Sequence, residues 1–305
     1  MEMQGKHYLK VAALGRYPEL EITKDEYNSI LKARATLTAA LDVEEKYDLV
    51  LGNFLDLEKD LLNLTVEKII DHRFDYNRAY TLTNTLNRRI VNFILSGKNY
   101  TELIASKASK CATNEEDVKE AISSLKSKHY DQNLDYRLME ALRNHVSHSG
   151  VAVHQVDNPD KWLMNERKEA THLVFNIGIY ALKERLSSNP SFKASVLKEL
   201  PEKIDLKKAA RSYLGAISSI HEEVRRTIKS GVDDARSLIE KYLNEYAKIN
   251  NGECFAVGAY SPEIDSSGEK PTILLLSWDD VRISLQEKNH SIANMEKRHV
   301  SSALL

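Results

Sequence analysis

The sequence predicts a mainly α protein: an up-and-down helical bundle with a helical extension and a small β-containing C-terminal segment. Three observations carry this. Aromatic residues make up 7% of the 305 residues, glycine (11) and proline (6) are few, and Glu, Lys, Leu and Ala are common, which is the composition of a helical protein. Apolar residues recur at helical spacing in long windows from Thr23 onward. After Cys254 the pattern changes to short β-like runs. The break Ser187-Ser188-Asn189-Pro190 sets the main boundary. The expected segments are 1–188 for the bundle, 189–250 for the helical extension and 251–305 for the C-terminal segment.

Residues 1–20 read as irregular. Thr23 and Glu26 have capping-box spacing and open a long helix to about Leu64, with a break expected near Asp42. A second helix covers roughly 75–107, with Leu82, Leu86, Ile90, Phe93 and Ile94 on one face. Asn114-Glu115-Glu116-Asp117 opens a third, to about Ser127. A fourth runs from about Asn133 to His148 and is ended by Gly150. Val151–Val156 reads as an extended connection. Asn158-Pro159 then suggests a fifth helix to about Leu186, because proline suits a first turn. Beyond the boundary come a short helix over 191–199 and two longer ones, Asp205 to about Ser230 and Val232 to about Ile249, divided at Gly231. Cys254–Tyr260, Thr272–Ser277 and Val281–Leu285 read as strands. The last twenty residues carry no clear signal.

Composition narrows the function classes. Lys and Arg number 43 and Asp and Glu 45, a formal net charge of −2, so no bulk basic field draws in nucleic acid and any RNA contact must come from a local patch. Cys111 and Cys254 are far apart and form no disulfide framework, which favours a reducing compartment. Charges at Lys6, Lys10, Arg16 and Glu19 interrupt any N-terminal signal peptide, and the apolar run Val174–Leu182 is too short to span a bilayer. A soluble, cytoplasmic protein with no membrane partner is expected. Neither a phosphate loop nor a dinucleotide fingerprint is present.

The chemistry-bearing stretch is Arg143-Asn144-His145-Val146-Ser147-His148, followed by Ser149-Gly150. Arginine holds a phosphate through parallel hydrogen bonds, and histidine exchanges a proton near neutral pH. At about 100° per residue, Leu134, Leu138, Ala141, Leu142 and His145 share one face. His148 lies at its edge, in the last turn, where the helix dipole favours a cation. Asn144 sits one turn earlier and is spaced to orient His148. Arg143 points the other way, near Tyr136, Met139 and Val146, and diverges from His148 by about 140°. A two-fold pair of chains would bring one arginine to the other histidine.

Arg143-Asn144-xxx-His148 resembles the signature of HEPN domains, helical bundles named for higher eukaryotes and prokaryotes nucleotide binding. Leu142–Gly150 resembles their Leu-Arg-Asn-aromatic-x-x-His-x-Gly form, with His145 in place of the usual tyrosine. Asn87–Phe93 resembles the helix that precedes the signature in bacterial members. The resemblance covers about 25–187 in architecture, is specific over about nine residues, and says nothing about 191–305. It implies a metal-independent endoribonuclease, often a toxin or anti-phage effector, that needs no cofactor. Such enzymes act as homodimers with a composite site, which leaves room for an antitoxin or regulatory partner. In that reading His148 moves the proton at the ribose 2′-OH or the leaving 5′ oxygen, Arg143 neutralises the phosphate, and Asn144 orients His148 or touches the phosphate. RNA alone has the 2′-OH that this chemistry requires.

Other readings stand beside this one. His148 could be a helix-end cation and Arg143 a surface salt-bridge partner, in a non-catalytic dimerisation or partner- or nucleotide-sensing module. His145, His148 and His154 could suggest zinc, but no carboxylate or cysteine follows at a familiar spacing, so no metal site is assigned. His145, on the apolar face, reads as a core or interface histidine. Arg89 and Asn92 are weaker RNA-binding candidates, with Arg88 read as part of a solvated face. Ser149 has no acidic or elbow partner that would make it a nucleophile.

Overall fold

The computed structural model describes residues 6–70, 75–112, 114–148, 150–267, 270–290 and 292–298. It is mainly helical, with small sheets. In chain order the elements are β1 (His7–Val11), β2 (Leu20–Ile22), α1 (Lys24–Glu67), α2 (Tyr76–Ser109), α3 (Glu115–Gln132), α4 (Leu134–His148), β3 (Gln155–Asp157), β4 (Lys161–Met164), β5 (Ala170–Val174), β6 (Gly178–Leu182), α5 (Lys183–Ser187), α6 (Ala194–Glu199), β7 (Lys203–Asp205), α7 (Leu206–Ile249), β8 (Val257–Tyr260), α8 (Pro262–Ser267), β9 (Thr272–Ile273) and α9 (Ser277–Lys288).

The helix starts follow from local chemistry. The Thr23 N–H donates to Glu26 Oε2 at 2.8 Å and the Glu26 N–H donates back to Thr23 Oγ1 at 3.1 Å, a reciprocal capping box that satisfies two orphan donors of α1. Asn133 Oδ1 accepts the Tyr136 N–H at 3.0 Å and caps α4. Asp205 Oδ1 accepts the Lys207 and Lys208 N–H groups at 2.9 and 3.1 Å and caps α7.

The chain forms two compact units, neither contiguous in sequence: Met1–Glu45 with Ile104–Ile122 and Glu223–His290, and Lys46–Leu103 with Ser123–Glu222 and Ser291–Leu305. The expected segments 1–188, 189–250 and 251–305 do not coincide with them, because α1, α2, α3 and α7 each supply residues to both units. The first unit holds an antiparallel sheet of order β2-β1-β8-β9 and buries Ile30, Leu37, Val232 and Ile239. Glu44, fully buried, accepts a bidentate pair from Arg225 at 2.9 and 2.5 Å. The second unit buries Phe54, Leu57, Leu86, Ile90, Phe93, Leu138, Leu142 and Tyr213. Its small sheets have the orders β3-β6-β7 and β4-β5.

Several sequence expectations are corrected. Residues 7–11 and 20–22 are strands, so β structure is not confined to the C-terminal segment. α1 runs unbroken past Asp42. The expected helix over 158–186 is β4, β5, β6 and the short α5. Here Asn165 Oδ1 accepts the N–H groups of Arg167 and Glu169 at 3.0 and 2.9 Å, and Lys168 has φ +61°. That side-chain turn competes with helix and reverses the chain between β-branched and aromatic runs.

The expected break at Gly231 is also absent, since α7 is one helix of 44 residues. Gly231 is instead a point of close approach, where a Cβ would stand 2.0 Å from the Cys111 carbonyl oxygen. The strand expected at 281–285 is part of α9. Arg282 donates to Asp279, three residues earlier, at 2.6 and 3.0 Å, and both are buried. Only helical spacing brings the two onto one face, and Arg236 of α7 donates to the same carboxylate at 2.7 Å.

Candidate functional site

The face of α4 that meets solvent is set by what the helix buries. Leu138, Ala141, Leu142 and His145 are buried as the periodicity predicts, and so are Tyr136 and Met139, on the side expected to face outward. At about 100° per residue this leaves one exposed strip. Asn144, Ser147 and His148 lie on it. Arg143 borders it, its side chain 33% exposed. Asn144 therefore lies between the two ends of the motif.

Arg143 and Asn144 are brought together. Arg143 Nη1 donates to Asn144 Oδ1 at 3.0 Å, and Arg143 Nη2 lies 3.9 Å from Glu102 Oε1 on α2, too far for a hydrogen bond. Asn144 thus serves the arginine, where the spacing suggested a role on His148. The His148 side chain makes no hydrogen bond among the described residues and is exposed at the last turn. Behind Arg143, Lys98 donates to Glu140 Oε2 at 2.6 Å, and the buried Tyr213 hydroxyl donates to Glu140 Oε1 at 2.9 Å. That network neutralises the carboxylate nearest the core. Lys98 also pairs with Glu102 Oε1 at 3.5 Å, so the carboxylate beside Arg143 is shared with a lysine.

The two RNA-binding candidates have different settings. Arg89 donates to Asp60 at 2.6 Å and to Asp56 at 3.1 Å, both on α1, so a phosphate would compete with two carboxylates for it. Asn92 is exposed. Ser149 lies outside the described residues.

The segment after the motif is held by Asn87 of α2. Its Oδ1 accepts the N–H groups of Ala152 and Val153 at 3.0 and 2.8 Å, and its Nδ2 donates to the Val153 carbonyl at 3.1 Å. Sequence reasoning missed this role. The available signal was a carboxamide at 87 beside Leu86, Ile90 and Ile94, since a polar group on an apolar stripe must find partners there.

His145 is a core histidine, as expected. Its Nδ1 is 2.9 Å from Asn189 Nδ2, an obligate donor, so Nδ1 is the acceptor and the neutral ring carries its proton on Nε2. Burial lowers its pKa against the raising effect of the Val151 backbone. The His154 ring centre is 6.1 Å away, and its Nδ1 accepts the Leu182 N–H at 3.1 Å. Burial first, then the charges of His145 and Arg185, push His154 down to about 4. Among the described residues no group of three or more His, Cys, Asp or Glu is placed to hold a metal, and no helix is long and apolar enough to cross a membrane.

Chemically, the end of α4 offers an exposed imidazole on the strip and, on its border, a guanidinium held by a carboxamide. Neither a protein-family model, nor a curated protein, nor a solved structure matches this chain.

Proposed function

We propose that this chain is a metal-independent endoribonuclease of HEPN type, acting on RNA as a toxin or anti-phage effector. The observation that carries the proposal is the exposed strip of α4, with His148 at its end and the Arg143–Asn144 pair on its border. His148 takes the proton from the ribose 2′-OH and returns one to the 5′ leaving oxygen. Arg143 meets the non-bridging phosphate oxygens as charge builds on them. Asn144, through Oδ1, limits the arginine to a few conformations. Asn92 contributes RNA contact, and Arg89 does so by exchanging a carboxylate for phosphate. In a two-fold assembly Arg143 would act with His148 of the partner subunit, and an antitoxin or regulatory partner would act by covering this strip. The products are a 2′,3′-cyclic phosphate and a 5′-OH.

The test is cleavage of a mixed-sequence RNA by purified protein in EDTA, with the same DNA sequence as control. Arg143→Ala and His148→Ala should each slow cleavage about 100- to 1,000-fold, and Asn144→Ala about 10-fold. Equal cleavage by all four proteins, or loss of wild-type cleavage in EDTA, sinks the proposal. The second reading, a non-catalytic interaction module, draws support from exposed apolar side chains in the same unit, Tyr80 and Trp162 among them. It predicts no RNA cleavage and no growth defect on expression.

A further inference from the structure

Two carboxylates lie among the cations beside α4, and they are held very differently. Glu140 has a side chain 14% exposed and is fixed, with Lys98 donating to it at 2.6 Å and the Tyr213 hydroxyl at 2.9 Å. Glu102 is 49% exposed, and its Oε1 lies 3.5 Å from Lys98 Nζ and 3.9 Å from Arg143 Nη2. Both distances are longer than a good hydrogen bond. An exposed pair of this kind contributes about 1 kcal/mol at most, so Glu102 can leave its two cations at little cost. Arg89 is the contrast, since it donates to carboxylates at 2.6 and 3.1 Å.

A third cation stands close by. Lys126 donates to the Thr101 carbonyl at 2.6 Å. Burial, and then the Lys98 charge, lower its pKa against the raising effects of Glu140 and Glu102. Lys98, Lys126 and Arg143 thus outnumber Glu102 and Glu140 by one charge, and departure of Glu102 makes the excess two. In a chain of net charge −2, this is a local basic patch of the kind that phosphate contact requires. Glu102 Oε1 marks a point that a lysine and an arginine both face. A backbone phosphate, with two non-bridging oxygens, can accept from both together.

We infer that Lys98 and Arg143 form a subsite for a backbone phosphate of RNA, closed at rest by the Glu102 carboxylate, which the phosphate displaces. The choice of RNA rests on the endoribonuclease reading, but the contact itself needs no cleavage. A fluorescent 2′-O-methyl RNA oligonucleotide, which lacks the reacting 2′-OH, therefore separates the two. Glu102→Gln should tighten its binding about 3- to 5-fold by removing a competing ion pair. Glu116→Gln, the same charge change at an exposed position of α3, should alter it by less than about 1.5-fold. Lys98→Met, which keeps the aliphatic stem, should weaken binding about 5- to 10-fold and reduce the slope of log K against log salt by about 0.7. Melting curves should confirm that the variants fold, and Glu102→Gln carries the test if Lys98→Met does not. Absence of binding at 100 µM protein overturns the inference, as does a Glu102→Gln protein that binds no tighter than Glu116→Gln. Equal competition by poly-glutamate would make the ligand an acidic peptide, and equal competition by inorganic phosphate would make it a free anion; either overturns RNA as the occupant. Binding that follows the expected pattern, without cleavage of unmodified RNA in EDTA, would refute the nuclease and leave the subsite standing.

Discussion

Asn87 closes on the backbone of Val153 with both ends of its carboxamide, accepting its N–H at 2.8 Å and donating to its carbonyl at 3.1 Å. Val153 and Asn87 are both buried, so water cannot replace these bonds. Asn87→Ala leaves two buried N–H groups and a carbonyl unpaired and should cost about 3 kcal/mol, read from urea denaturation. Asn87→Asp keeps the acceptor but turns a carboxylate toward the Val153 carbonyl, so it should also destabilise, and less so at low pH. A loss below about 0.5 kcal/mol for Asn87→Ala would show that the segment is held by other means.

Acid should weaken the fold through His154. Its folded pKa of about 4 lies below the ordinary 6.5, so the unfolded chain binds the proton more tightly. The stability contributed by the neutral ring is whole above about pH 6.5 and falls as pH drops from there through about 4. His145, also lowered by burial, acts in the same direction. His154→Asn retains an acceptor for the Leu182 N–H and cannot charge. Between pH 7 and 4.5 the wild type should lose about 2 kcal/mol more than this variant, after allowance for partial exposure. Parallel pH profiles of the two proteins would remove His154 from the account.

Two helical glycines should respond in opposite directions to alanine. At Gly52, in α1, an added Cβ would have no neighbour within 4 Å, whereas at Gly231 it would meet the Cys111 carbonyl oxygen at 2.0 Å. Gly52→Ala should stabilise by up to about 1 kcal/mol, the propensity gain alone. Gly231→Ala should destabilise by about 2–3 kcal/mol, because the backbone of one element must shift. Melting temperatures of the two variants decide this, and stabilisation by Gly231→Ala would mean that the close approach is absent.

Much of the helical framework was legible in the sequence, because it rests on local signals. The Thr23–Glu26 box, Asn133 at the head of α4 and the stripe Leu138, Ala141, Leu142 and His145 are each read within one or two turns of chain. The misreadings share a cause. Proline at 159 suggested a helix, and alternation at 281–285 suggested a strand. In the first an Asn165 turn outcompeted helix, and in the second the buried Asp279–Arg282 pair, joined by the half-buried Arg236, required helical spacing. A glycine inside α7 resembled a break because its partner, Cys111, is 120 residues away in sequence and invisible to any local pattern.

The same division holds for the candidate site. The sequence by itself determined that Arg143, Asn144 and His148 ride on one helix end, and that His145 turns inward. Helical periodicity and the hydrophobic effect are enough for both. Only the tertiary structure decided which side of α4 is left to solvent, since that depends on how many neighbours cover the helix. Burial of Tyr136 and Met139 narrowed the exposed face to a strip with Asn144 between Arg143 and His148, and let Arg143 find Asn144 as its acceptor. Hydrogen-bond partners are chosen by distances of about 3 Å in space, and spacing along a chain can only nominate them.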